Sequence, residues 1–249
     1  MGRAFGEFSL EEQRKEMADL LIAEVGNLVQ SGPFAGMELP TEFCWGDGHR
    51  LPKLLGSYEA ELHPWLESIV KNPYDLVVDI GCAEGYYVAG LARAFPASTR
   101  MYGFDISRKA QRICRSACEK NNVSDRVTVG GKCDAEDIRL LLSQAKRPLL
   151  LLDCEGGEVE LLCDNRDPQL DAADILVECH DLFDRTITPK LYRRFSDTHN
   201  IELVRERGRD LDQFPFLQRF GGFQRALAVC EFRPELMHWL LCTSKSRPA

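Results

Sequence analysis

The chain has 249 residues, with 31 Lys+Arg against 39 Asp+Glu and a formal net charge of −8. At about 150 residues per domain this length suits one large or two small domains. A chain with 44% hydrophobic and 28% charged residues is globular, which excludes a disordered or collagen-like polymer. The acidic balance speaks against a nucleic-acid-binding surface, no apolar run has the length of a membrane span, and Met1–Arg14 lacks the apolar core of a secretory signal. Ten scattered cysteines without a C-x-x-C pair read as reduced thiols of a cytoplasmic protein, not as a disulfide framework or a zinc site.

In chain order, residues 9–30 predict a helix. Ser9 and Glu12 form a capping box, Leu10, Met17, Leu20, Leu21, Val25 and Leu28 recur at helical spacing, and Gly32-Pro33 stops it. Residues 31–52 are rich in Gly and Pro and read as irregular, and a second helix is expected over about 53–71. From Tyr74 short aliphatic runs alternate with helical stretches. Strands are expected at Leu76–Ile80, Met101–Asp105, Val127–Val129, Leu149–Asp153 and Ile175–Glu178, with helices near 85–95, 108–120, 135–144 and 158–162 between them. A helix at about 189–198 and strands at Ile201–Arg205 and His238–Thr243 follow, and 206–235 carries no clear pattern. The alternation predicts an α/β fold, a Rossmann-like doubly wound seven-stranded mostly parallel sheet. Residues 1–72 form an N-terminal helical extension or lid and 73–249 the main domain.

The first strand runs into Asp79-Ile80-Gly81-Cys82-Ala83-Glu84-Gly85, a turn that opens a helix. Glycines there let the chain turn sharply and let a ligand approach the backbone. The spacing is G-x-x-x-G, not the G-x-G-x-x-G that cradles a dinucleotide pyrophosphate. A cofactor without phosphate and with positive charge fits better, because Asp79 and Glu84 place carboxylates at the turn. The second strand ends at Asp105, 20 positions after Gly85, where an acid holds ribose hydroxyls, and Asp134 after the third strand is an adenine candidate. The plainer alternatives are a tight strand–helix turn for the glycines and a helix cap for Asp105.

The stretches VVDIGCAEGYYVAGLA and YGFDIS resemble motif I and the following acidic strand of class I S-adenosylmethionine (SAM)-dependent methyltransferases. Asp153-Cys154-Glu155-Gly156-Gly157-Glu158 and Glu178-Cys179-His180 resemble the D-x-E-G-x-E and E-x-H segments of FkbM-type methyltransferases, mostly O-methyltransferases. The likeness spans about residues 55–183. It implies SAM as cofactor, held by Asp79, Gly81, Glu84, Gly85 and Asp105, with Asp134 weaker, and Tyr58 or Glu59 of the Gly56-Ser57-Tyr58-Glu59 segment reaching the cofactor or lidding the pocket. A surface helix start capped by Ser57 is the alternative for that segment.

A hydroxyl acceptor needs a base or a metal ion. The carboxyl ends of the fourth and fifth strands offer Asp153, Glu155, Glu158, Glu178, His180 and Asp181. In one reading His180 is the general base, oriented by Glu178 or Asp153. In the other, Asp153, Glu178 and Asp181 (or His180) hold Mg²⁺ or another divalent ion. The base reading is slightly ahead. Helix capping is the alternative for the acids, and a structural role is the alternative for His180. Trp45–Arg50 reads as a surface loop more than a lid, and Arg205–Asp210 as a solvated charge run. The expected function is methylation of a small-molecule hydroxyl, with N-methylation, another SAM-fold transferase and a non-catalytic SAM-binding module as rivals. A nicotinamide oxidoreductase is disfavoured by the missing third glycine. No nucleic-acid or membrane partner is expected, and a homodimer is the candidate assembly.

Overall fold

The computed structural model describes residues 9–44, 49–163 and 167–246. Its centre is built by β1 (Leu76–Ile80), β4 (Pro148–Leu152) and β5 (Asp174–Glu178), three five-residue strands buried at every position. Such unbroken apolar runs belong to parallel strands covered on both faces. With β2 (Arg100–Phe104), β3 (Val127–Gly130), β6 (His199–Arg205) and β7 (His238–Ser244) they form one sheet in the order β3-β2-β1-β4-β5-β7-β6. The first five strands in that order pair in parallel, and β7 runs antiparallel to both β5 and β6. The seven-stranded, mostly parallel, doubly wound sheet expected from the sequence is therefore present.

The period of two along each strand sorts the core into two layers. Val77, Leu149, Leu151, Leu176 and Trp239 face the layer made with α1 (Leu10–Val25), α2 (Arg50–Leu55), α3 (His63–Ile69), α4 (Tyr86–Ala94), α5 (Arg108–Lys120) and α10 (Gly222–Ala228). Val78, Ile80, Leu150, Leu152, Ile175 and Val177 face α6 (Ala135–Leu142), α7 (Glu158–Cys163), α8 (Pro168–Ala172) and α9 (Ile187–Phe195). Among the described residues no helix is long and apolar enough to cross a membrane.

Three local expectations are corrected. The first helix starts on its capping box, with the Glu12 amide donating to Ser9 Oγ at 3.2 Å and the Ser9 amide to Glu12 Oε2 at 2.7 Å. It ends at Val25, five residues early, because Gly26 turns to φ +73°. The second helix is broken in two: Gly56 closes α2 in the left-handed region and Glu59, at φ +46°, turns its side chain inward before α3. Helices α8 and α10 were not expected, since five and seven residues carry too little periodicity to read.

One glycine fixes how β1 meets β4. Gly81 sits at φ +88°, and a Cβ there would lie 1.7 Å from the Asp153 carbonyl oxygen. Gly81→Ala combines left-handed strain with a backbone clash, each costing about 1–3 kcal/mol, so it is expected to lower the urea midpoint sharply. Gly208→Ala, where an added carbon meets nothing within 4 Å, is the control expected to leave the midpoint in place.

Candidate functional site

The β1–α4 turn and the ends of β4 and β5 meet at one edge of the sheet, where β1 lies between β2 and β4 and the winding reverses. That is the crevice in which open α/β sheets bind ligands. A cleft of about 230 Å³ lies there, walled by His49, Tyr58, Asp153, Glu178, His180 and Arg233 among others. Beneath it, a void of about 20 Å³ shares Asp153 and Glu178 and adds Glu59, Asp79 and Tyr87.

The turn is built as the glycine spacing requires. Gly81 and Cys82 amides donate to the Phe104 carbonyl at 2.8 and 3.0 Å, and Gly85, at φ +86°, is pressed on Cys114. Asp105 accepts the Ala83 amide at 3.0 Å on one carboxylate oxygen and the Ser107 amide at 2.7 Å on the other. It thus ties the turn to the end of β2; the cap of α5 is Ser107, not Asp105. Asp134 caps α6, accepting from the Glu136 and Asp137 amides at 3.0 Å each. That bonding makes Asp134 the N-cap of α6 through Oδ1.

The two carboxyls expected to charge the turn behave differently. Asp79 is buried, and burial first, then Asp153 and Asp105, pushes its carboxyl up to about 8. It is therefore largely neutral at pH 7, and its Oδ2 has no hydrogen-bond partner. Glu84 is also buried, and burial alone would raise it, but Lys53 outweighs this and holds it below the ordinary value. Lys53 Nζ bonds Glu84 and lies 4.3 Å from the Tyr58 ring centroid. The turn's one firm negative charge is thus cancelled by a lysine that sequence reading did not single out.

Tyr58 stands in the cleft wall, its ring edge-on to Tyr86 at 5.4 Å between centroids. Ser57 beside it is fully buried, which corrects the surface-cap alternative for this segment. Glu59 accepts from Tyr87 and from Arg233. Arg233 also bonds Glu178 and, through Nε, Glu231 Oε2 at 3.1 Å, so one guanidinium joins three carboxylates from three distant segments. Arg209 supports the cluster from behind, bonding Glu61 and, at 2.6 Å, Glu231. Its side chain is only 8% exposed, which corrects the solvated-run reading of Arg205–Asp210 at that residue. In the Trp45–Arg50 segment, residues 45–48 lie outside the described residues, while His49 lines the cleft and points Nε2 to the Glu231 carbonyl at 3.1 Å.

On the acceptor side, His180 Nδ1 lies 2.5 Å from Glu158 Oε1 and Nε2 3.5 Å from Asp153 Oδ1. The orienting residue is therefore Glu158, wholly buried at the start of α7, and not Glu178, whose carboxylate is held by Arg233. Burial pulls the imidazole pKa down, but Glu158 and Asp153 more than offset this and hold it above the ordinary histidine value. Asp153 is raised to about 6, by burial and then by Glu59. Glu178 is raised well above the carboxylate range by burial and then by Asp153.

The metal alternative changes composition. Asp153, Glu178 and His180 offer donor atoms within 4.8 Å of one another. Asp181 is not among them. It accepts the Thr188 amide at 3.0 Å and faces His238 at 3.5 Å, so it is corrected from candidate ligand to an anchor of α9. Two carboxylates and an imidazole suit a hard or borderline divalent ion.

Sequence reasoning missed Lys53, Arg209, Glu231 and Arg233. The one signal available was Glu231-Phe232-Arg233-Pro234, charge and aromatic residues packed together just before an apolar strand.

Residues 77–147 match the family described as "Methyltransferase domain". The segment covers β1 through the chain entering β4, including the glycine turn and Asp105. The match supports the methyltransferase reading over that segment. The narrower FkbM-type assignment is not reached by it. No curated protein sequence matches the chain significantly. Similar solved structures include the O-methyltransferase TomG from Streptomyces achromogenes in complex with SAM (13% identity, 95% of this chain, 100% of that chain, TM-score 0.48). The O-methyltransferase from Bacillus cereus in complex with SAH is another (14%, 93% and 91%, 0.44). So is cofactor-bound Rv0187 from MTB (14%, 96% and 90%, 0.48).

Proposed function

We propose that the domain methylates a hydroxyl of a small-molecule acceptor with SAM as donor, and that His180 is the general base. One observation carries the base assignment: the imidazole is clamped through Nδ1 by buried Glu158, which leaves Nε2 at the wall of the cleft beside Asp153. Glu158 fixes the tautomer and ring orientation, as the acid of a His–acid pair does. The donor supplies an electrophilic methyl on sulfur. The protein's work is to align the two reactants in line and keep water out. Gly81, Gly85 and the Asp105 carboxylate shape the donor side, and Tyr58 covers it. The FkbM-type resemblance of the Asp153–Glu158 and Glu178–His180 segments is consistent with this division of labour and belongs to the same reading.

A divalent ion on Asp153, Glu178 and His180 is the second reading, favoured by their mutual closeness. It would lower the hydroxyl pKa directly, and it would require Glu178 to exchange Arg233 for the ion.

The test is calorimetric titration with S-adenosylhomocysteine (SAH), with and without Mg²⁺ and after EDTA. Micromolar binding that Asp105→Ala weakens at least about tenfold, a loss of roughly 1.4 kcal/mol, is the expected result. Absence of binding under all conditions removes SAM from the reading. Methyl transfer that EDTA abolishes and Mg²⁺ restores moves the reading from base to metal.

A further inference from the structure

Five acidic side chains line the cleft, Glu84, Asp153, Glu155, Glu178 and Glu231, together with Lys53, Arg233 and the imidazoles of His49 and His180. Both cations are already spent, Lys53 on Glu84 and Arg233 on Glu59, Glu178 and Glu231. Under the floor Asp79, 3% exposed and with Oδ2 unpartnered, faces the small void that Asp153 and Glu178 also wall, and burial leaves it largely neutral. The carboxyls of the β1–α4 turn carry little free charge, since Lys53 pairs with Glu84 and Asp79 is largely neutral. The opposite wall, the β4–α7 loop, differs. There Glu155 lines the cleft and makes no hydrogen bond or ion pair among the described residues.

Aromatic surface lines the same side of the cleft. Phe183 lies 3.5 Å from where a Cβ on Gly156, the neighbour of Glu155, would sit, and its ring is 6.0 Å from the His180 ring, centroid to centroid. Phe183 is 61% exposed and Phe232 50%, and both line the cleft with Leu182, Pro234 and Met237. A carboxylate next to an open aromatic face recognises an ammonium through charge and the ring quadrupole together. An acceptor with a carboxylate or phosphate would find Lys53 and Arg233 already paired and would meet Glu155 as a like charge.

We propose that the acceptor carries a protonated amine on a compact apolar body, with the ammonium held by Glu155 and Phe183 and the hydroxyl directed to His180. This rests on the methyltransferase reading above for the identity of the hydroxyl as acceptor. The charge preference itself is a property of the cleft.

The test uses three probes of one shape: tyramine (cationic), tyrosol (neutral) and 4-hydroxyphenylacetate (anionic). Each is titrated into the full chain with and without saturating SAH. The expected order is tyramine, then tyrosol, then 4-hydroxyphenylacetate, with at least about tenfold between first and last, the sum of one partly exposed attraction and one repulsion. The gap shrinks as salt is added. Glu155→Gln narrows it several-fold and leaves the SAH isotherm unchanged. Equal affinities, a reversed order, no binding by any of the three, or a gap that Glu155→Gln leaves intact overturns the proposal. Failure of SAH to bind overturns the donor assignment instead, and the probe order in donor-free protein still reads the charge preference.

Discussion

His180→Ala is expected to lower the rate of methyl transfer by roughly 10²–10⁴-fold, the usual contribution of a positioned general base, while SAH binds as in the parent. The separation follows from the geometry. His180 lies past the end of β5 and contacts Glu158 and Asp153, whereas the donor side is shaped by the β1–α4 turn and Asp105. A base must be neutral to accept the proton. Because Glu158 and Asp153 hold the His180 pKa above its ordinary value near 6.5, the rate at sub-saturating acceptor should climb with pH above that value rather than below it. Glu158→Gln keeps the shape and removes the charge, so its ascending limb should move to lower pH, a shift that loss of packing alone would not cause. Stability moves the opposite way. Protonated His180 between two carboxylates contributes fully below its unfolded pKa, and that contribution fades as pH rises through the raised folded value. The melting-temperature deficit of His180→Ala should accordingly be larger at acidic than at alkaline pH. A His180→Ala enzyme with parental turnover would remove the residue from the base role.

The contrast between His180 and its neighbours shows where the sequence was legible. Features set by local chain rules could be read directly: apolar runs for β1, β4 and β5, the capping box at Ser9 and Glu12, the glycine turn, and the acid at the end of β2. These depend on residues a few positions apart, and the chain states them openly. What the side chains do with each other could not be read the same way. Nothing in the composition distinguishes Glu158, wholly buried on His180, from Glu155, exposed three residues earlier; only the start of α7 separates them. Asp79 was read as a charge because Asp is usually charged, yet full enclosure leaves it mostly neutral at pH 7. Arg233 lies 174 positions from Glu59 and 55 from Glu178 in the chain, and their meeting is a product of the fold. The segment 206–235 carried no periodic signal because its buried residues, among them Phe216, Leu217, Leu227 and Ala228, sit on helices of five and seven residues, too short to show a period, between the charged groups that reach the site.

Arg233→Ala should be strongly destabilising although the residue lies in a loop. The side chain is 11% exposed and bonds Glu59, Glu178 and Glu231 at once, and it lies 5.1 Å from the Trp239 ring centroid. Removing one partner from a buried ionic cluster costs about 3–5 kcal/mol, because the remaining charges stay desolvated and unpaired. The three carboxylates can escape this cost by taking up protons, which gives the deficit a definite pH dependence. In the parent, burial would raise the Glu59 carboxyl, but Arg233, Tyr87 and Tyr58 hold it below the ordinary value. Glu59 therefore contributes stability above its unfolded pKa that is lost as pH falls through the folded one. Without Arg233 the folded pKa values of Glu59, Glu178 and Glu231 all rise, and a carboxyl raised on folding opposes folding progressively above its unfolded pKa near 4.3. The difference in urea midpoint between Arg233→Ala and the parent should be small near that pH and widen toward neutrality. Glu59→Gln introduced into Arg233→Ala should recover part of the loss at pH 7, since it removes one of the stranded charges while keeping a hydrogen-bonding group for Tyr87. A deficit that stays constant from acid to neutral pH would mean that Arg233 acts by packing on Trp239 and Tyr58 and not by its charge on these carboxyls.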